Sequence, residues 1–251
     1  MVKNVQNWPA YLLHKWGVLK QDPFILNSLN GISVEVPNRM MHTAKEVFFT
    51  DDYRFDDIRS TVLSYSDSPV IIDVGSNVGY LSAFSFTRFP KAKVISVEPL
   101  PKNLSLLKHN RQLNTSFDWS VFEGVLAGED GEFGIQFDNS DDYSTSASMY
   151  GLDDGADSLT VKSLKLNSLL AQHGISKVHI LKLDCEGAEY DILYSLNAED
   201  LNRMAFVTME THQIDTEKMN RDAILSWFQE NGWNTQFVRS KVLAENPNFK
   251  A

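Results

Sequence analysis

The sequence predicts an α/β domain built on a mostly parallel sheet flanked by helices, with an extension before it. Three observations predict it. Short apolar, β-branched runs end at acidic residues and glycines, as in Val70-Ile71-Ile72-Asp73-Val74-Gly75 and Val94-Ile95-Ser96-Val97-Glu98. Segments with apolar residues at helical spacing separate those runs, the βαβ rhythm of a sheet covered on both faces. The chain of 251 residues is long enough to bury a full core.

The first strand is Val70–Val74, and a helix follows over 79–89. The second strand is 93–97, and the helix after Pro101 carries Leu104, Leu107 and Leu113 at helical spacing. Residues 120–122 read as a third strand. Gly128-Glu129-Asp130-Gly131 then reads as a hairpin turn, with Phe133, Ile135 and Phe137 alternating beyond it. Later strands are Val178–Leu183 and 205–209. A helix over 217–230 stops at the cap Asn231-Gly232, a last strand spans 233–239, and the tail 240–251 reads as loose. The expected division is an extension at 1–68, helical and hairpin in character, a ligand-binding domain at 69–239, and that tail.

The stretch Asp73-Val74-Gly75-Ser76-Asn77-Val78-Gly79 carries the chemistry. Glycines let backbone pass close under a ligand, and Glu98, nineteen residues beyond Gly79, ends the next strand where an acid can accept from ribose hydroxyls. A dinucleotide site needs Gly-x-Gly-x-x-Gly, because two phosphates sit against bare backbone. Here Asn77 and Tyr80 occupy the second and third glycine positions. The pattern suits S-adenosylmethionine better, since that ligand has no phosphate and presents a sulfonium and an amino-acid tail to Asp73.

A third segment, Leu183-Asp184-Cys185-Glu186-Gly187-Ala188-Glu189, follows a strand. With Glu46-Val47-Phe48, the Asp73 loop, Val97-Glu98-Pro99 and Glu210-Thr211-His212, it resembles the FkbM family of S-adenosylmethionine-dependent methyltransferases. The resemblance implies a Rossmann-like class I methyltransferase fold with a seven-stranded sheet. It implies cofactor binding by Asp73, Gly75, Ser76, Asn77, Gly79, Glu98, Pro99, Asn103 and Asp184, with residues 122–127 walling the adenine. It also implies O-methylation of a hydroxyl on a sugar, glycan precursor or secondary metabolite. Asn7-Trp8-Pro9 with Tyr11-Leu12-Leu13 is similar to members that accompany polysaccharide biosynthesis. Cys185 stands where the family usually has valine.

Methyl transfer from a sulfonium is an in-line displacement, so positioning and a base do most of the work. The candidates are His212, Glu210 and Asp184, which follow strands at the edge where open α/β sheets bind ligands. His212 is the preferred base for its ordinary pKa of about 6.5, with Glu210 the alternative. Asp184, Glu186 and Glu189 could gather a magnesium ion. No metal is assigned, because no Asp-Asp-Asn-type set is evident and His212 can move the proton unaided. His42, His109, His173 and His179 show no zinc-like pairing.

The formal charge of −10 without a basic tract disfavours a nucleic-acid partner. The single cysteine excludes an internal disulfide and fits a reducing, cytoplasmic setting. Flanking acids raise its thiol pKa, which marks it as packing and not as a nucleophile. Pro9, His14 and Lys15 interrupt the apolar start, so neither a signal peptide nor a membrane span is expected there. Trp8, Tyr11, Leu12, Leu13 and Trp16 read as one helical face packed on the domain or on a second subunit of a homo-oligomer. A lid, or a foot on a lipid-linked substrate, is the other reading. Residues 138–157 are rich in Asp, Ser, Asn and Gly and read as a surface loop or a substrate-closing segment. An NAD-linked oxidoreductase and a non-catalytic cofactor-binding relative are the competing functions.

Overall fold

The apolar runs of the sequence become strands buried on both faces. The structure is a computed structural model that describes residues 4–28, 30–137, 143 and 157–250. In chain order the elements are α1 (Trp8–Lys15), β1 (Phe24–Asn27), β2 (Ser33–Val36), α2 (Met41–Lys45), α3 (Phe55–Tyr65), β3 (Val70–Val74), α4 (Tyr80–Arg88), β4 (Lys93–Glu98), α5 (Pro101–Gln112), β5 (Asp118–Glu123) and β6 (Val125–Leu126). They continue with β7 (Gly131–Phe137), β8 (Asp157–Leu164), α6 (Leu166–Gln172), β9 (Val178–Leu183), α7 (Ala188–Tyr194), α8 (Ala198–Asn202), β10 (Met204–Glu210), α9 (Arg221–Glu230), β11 (Asn234–Val238) and β12 (Lys241–Glu245). A short 3-10 turn (Asn38–Met40) precedes α2, and a π-helical turn (Glu46–Thr50) follows it.

The main sheet has seven strands in the order β11-β12-β10-β9-β3-β4-β5. β5, β4, β3, β9 and β10 run parallel. β12 is antiparallel to both β10 and β11. Alternation along each strand splits the core in two. Ile71, Val94, Ile180 and Phe206 join one apolar cluster, while Ile72, Ile95, Leu181 and Val207 join the other. The first cluster is shared with the extension: Phe48 meets Phe84 edge-on at 5.7 Å, and Phe55 contacts Phe84 and Phe89 at 6.3 and 6.2 Å. Among the described residues no helix is long and apolar enough to cross a membrane.

Four expectations are corrected. The tail is not loose, because Lys241–Glu245 is a strand inserted between β10 and β11, with Lys241, Val242, Leu243 and Ala244 buried. Residues 128–131 do not close a hairpin, because β7 pairs with β8 and β6 runs parallel to β8 in a separate three-stranded sheet. The late helix starts at Arg221, capped by the Asn220 side chain, which accepts from the Ala223 N–H at 3.0 Å. Residues 8–16 do not pack on the domain as one face, since Tyr11 is buried while Trp8, Leu13 and Trp16 are exposed. The candidate loop at 138–157 lies outside the described residues except for Tyr143 and Asp157.

Candidate active site

The strand order reverses at β3, so a crevice opens beyond the carboxyl ends of β3, β4, β9 and β10. It holds a cavity of about 560 Å³, a volume suited to a nucleoside-sized ligand and a small acceptor.

The loop after β3 forms one wall. Gly75 has φ +70°, and a Cβ there would lie 1.7 Å from the Asp184 carbonyl oxygen, so only glycine lets the loop touch the end of β9. The Gly75 and Ser76 N–H groups donate to the Val97 carbonyl at 3.0 Å each. Glu98 accepts from the Asn77 N–H at 2.8 Å, the Leu100 N–H at 3.0 Å and Asn103 Nδ2 at 3.2 Å. Burial pushes the Glu98 carboxyl up to about 7, against the lowering effect of those donors and of Lys182.

Gly75, Ser76, Asn77, Glu98, Pro99, Asn103 and Asp184 all line the cavity. Asp73 and Gly79 do not. Asp73 lies beneath the loop, fully buried, where it accepts from Ser82 Oγ at 2.6 Å and pairs with Lys182 Nζ at 3.1 Å. Lys182 also donates to the Val74 and Gly75 carbonyls at 3.1 and 2.7 Å. Asp73 therefore braces the loop. Gly79 precedes α4, where a Cβ would meet Leu107 Cδ1 at 2.3 Å, so its requirement is packing. Of residues 122–127, Gly124, Val125 and Leu126 reach the wall.

The other end of the cavity is a charged network. Donor atoms of Asp184, Glu210 and His212 lie within 4.8 Å of one another. Tyr53, buried on the extension, donates its hydroxyl to Asp184, and the Lys241 ammonium donates to Glu210. Lys182 and Lys241 both stand over the Tyr53 ring, at 5.3 and 5.0 Å. Glu189 accepts from the Cys185 and Gly187 N–H groups at 2.8 and 2.7 Å and faces His212 Nδ1 at 3.0 Å. Glu186 lies 3.5 Å from His212 Nε2, and the Tyr190 hydroxyl fixes the His212 carbonyl at 2.7 Å.

Burial would lower the His212 pKa. The hydrogen bond and charge of Glu189, with the charges of Glu186 and Asp184, outweigh it and raise the ring to about 9. The ring is thus an imidazolium at neutral pH, which corrects the expectation of an ordinary histidine titrating near 6.5. Burial, with the charge of Glu189, pushes the Cys185 thiol far up and keeps it inert.

The cavity wall fits S-adenosylmethionine better than a pyrophosphate. Asn77 Oδ1 is buried in the wall with no hydrogen-bond partner, a ready acceptor for an amino group. Glu98 accepts three hydrogen bonds and keeps lone-pair capacity for a ribose hydroxyl. Among the described residues the two lining lysines are each paired with a carboxylate, Lys182 with Asp73 and Lys241 with Glu210, which makes them poor partners for a phosphate. Asp184, Glu210 and His212 offer donors that a divalent cation could use, yet each already has a partner, in Tyr53, Lys241 and Glu189 respectively.

Three residues of the site escaped the sequence reading: Tyr53, Lys182 and Lys241. Lys182, inside an otherwise apolar strand, was the one available signal, since a buried lysine implies a buried carboxylate.

Comparison with known proteins agrees with this fold. The model of the methyltransferase FkbM domain matches residues 73–234. "Methyltransferase 1" of Beauveria bassiana is 25% identical over 182 residues, covering 66% of this chain and 73% of that one. The AMB antimetabolite synthetase AmbE of Pseudomonas aeruginosa is 24% identical over 216 residues, covering 70% of this chain and 10% of AmbE. In structure, the chain superposes on methyltransferase FkbM from Methylobacillus flagellatus KT with a TM-score of 0.52 and 13% identity. That match covers 83% of this chain and 52% of the other, so this chain spans about half of the crystallised one. The seven-stranded sheet is that of a class I methyltransferase, and the chain belongs to the FkbM methyltransferase family.

Proposed function

We propose that this methyltransferase uses S-adenosylmethionine to methylate a hydroxyl of a sugar or glycan precursor, or of a secondary metabolite, in the cytoplasm. One observation carries the reading: a single cavity joins a ribose-type acid, Glu98, to the cluster of Asp184, Glu210 and His212. The match to an antimetabolite synthetase supports a small-molecule acceptor.

When bound, the cofactor supplies the methyl group as an electrophilic carbon on a sulfonium. Glu98, Asn77 and Asn103 would hold its nucleoside and amino-acid portions. Asp184, kept in place by Tyr53, orients the acceptor. Glu189 accepts from Nδ1–H of His212, so in the minority of molecules whose ring is neutral Nε2 presents a lone pair that would take the proton of an acceptor hydroxyl. Glu210 is held by Lys241, so the side chains move the proton without a metal.

The test is calorimetric titration with S-adenosylhomocysteine, with NAD in parallel and Glu98→Ala as control. Micromolar binding of the former, lost in Glu98→Ala, supports the reading and opens a screen of hydroxylated acceptors. Binding of NAD alone, or of neither, refutes it.

A further inference from the structure

Helix α1 is amphipathic in the wrong sense for a helix at a protein surface. Its inward residues are Tyr11, whose ring lies 4.5 Å from that of Phe49, and His14, stacked on Phe24 at 5.3 Å. At about 100° per residue, Trp8, Pro9, Leu12, Leu13 and Trp16 share one arc of roughly 140° on the other side. Except for Leu12, which is half-buried against the core, that arc faces outward, with Trp8 40%, Leu13 43% and Trp16 68% exposed, and Val18 beyond it is 68% exposed. These four are half of the large apolar side chains exposed among the described residues, and they fall within eleven consecutive positions.

The charge around them is equally uneven. Residues 1–21 contain three lysines and no acid, while the rest of the chain carries 33 acids against 20 bases. Lys15 borders the apolar arc, and Lys20 follows Val18; both are exposed. Exposed tryptophans and leucines edged by lysines are the chemistry of a helix lying in a lipid headgroup layer. A second copy of this segment, with no acid in residues 1–21, would offer these lysines no partner, whereas an anionic surface does.

We propose that α1 and the segment after it, to Lys20, form a foot that docks the protein on an anionic bilayer surface. Trp8, Leu13, Trp16 and Val18 enter the headgroup layer, and Lys15 and Lys20 meet the lipid charge. The acidic remainder of the chain is repelled by the same surface, which orients the molecule with α1 toward it. The foot is seated beside the active site. Tyr11 packs on Phe49 of the π-helical turn, and Glu46 and Val47 of that turn line the cavity. Docking is a property of this surface and does not depend on the methyl-transfer reading.

The test is co-sedimentation of the full chain with vesicles of phosphatidylcholine alone and with vesicles containing phosphatidylglycerol, at low and high salt. Trp119 and Trp233 are buried and Trp227 is half-buried, so the fluorescence is read in a Trp227→Phe background, where a blue shift on binding reports mainly on Trp8 and Trp16. The expected result is binding to the mixed vesicles only, weakened by salt and accompanied by that shift. Lys15→Glu and Lys20→Glu should each lower it by roughly fivefold or more, and Trp16→Ser should lower it with the fold unchanged by circular dichroism. Failure to bind, equal binding to neutral vesicles, or full binding by these variants overturns the proposal. So does light scattering that shows a dimer dissociated by Trp16→Ser, because a second copy would then cover the face.

Discussion

Replacing Glu186 by Gln removes one charge from the His212 network and leaves the shape almost unchanged. The carboxylate lies 3.5 Å from Nε2, and the two side chains are 32% and 23% exposed. Unit charges at that distance interact by about 1 kcal/mol in water and about 5 kcal/mol at an effective dielectric of about 20. This partly solvated pair belongs near the lower figure, which is about one pKa unit. The imidazole should therefore titrate near 9 in the parent chain and about one unit lower in Glu186→Gln. At pH 7 the neutral ring would rise from about 1% to about 10% of molecules, so a rate limited by His212 as base should increase by up to tenfold. Nuclear magnetic resonance titration of the His212 ring and the pH dependence of kcat measure the two effects separately. A parent ring titrating near 6.5 refutes the electrostatic argument. A ring that shifts while the rate profile stays fixed refutes His212 as the base.

The same shift bears on stability. A folded pKa of about 9 above an ordinary 6.5 means stabilisation that is complete below about pH 6.5 and lost as pH rises through about 9. The stability gap between parent and His212→Gln, read by urea unfolding, should narrow by about 3 kcal/mol from pH 6 to pH 10. Glu98 has the opposite sign: its raised pKa of about 7 makes the folded chain less stable as pH rises from about 4.5 to 7. Glu98→Gln should therefore gain about 2–3 kcal/mol relative to the parent between pH 5 and pH 8, while losing affinity for S-adenosylhomocysteine. Gly75→Ala meets both a φ of +70° and the Asp184 carbonyl, and should cost about 3 kcal/mol or more together with ligand binding. Lys241→Met leaves Glu210 without its ammonium. It should lower stability by about 1–3 kcal/mol and create calorimetric affinity for Mn²⁺, whereas parent activity should be indifferent to EDTA.

The parts of the molecule that could be read from the sequence are those where local chemistry and tertiary role coincide. The parallel strands show in uninterrupted apolar runs, because burial on both faces leaves polar residues few places. The loop after β3 shows in Gly75 and Asn77 followed by Glu98, because close backbone approach to the Asp184 carbonyl and an acceptor for the Asn77 N–H each demand a residue type. Asp73 was visible, but its buried partners were not. An acid at a strand end looks the same whether it faces the ligand or, as here, a buried Lys182 and Ser82 behind the loop.

What the sequence by itself determined was the parallel strands of the sheet, the Gly75–Glu98 wall of the cavity, and the presence of Asp184, Glu210 and His212 at or beyond strand ends. Only the tertiary structure decided the protonation of His212, because Glu189 and Glu186 reach it from another strand–helix junction more than twenty residues away. Only the fold brought in Tyr53 and Lys241. The turn that returns β12 to the sheet has positive φ at both Arg239 and Ser240, 53° and 68°, where a legible hairpin would show Asn-Gly. With that signal missing, Lys241 read as part of a loose tail. Local patterns record burial and turn chemistry, whereas the charge state of a side chain is set by whatever the fold places beside it.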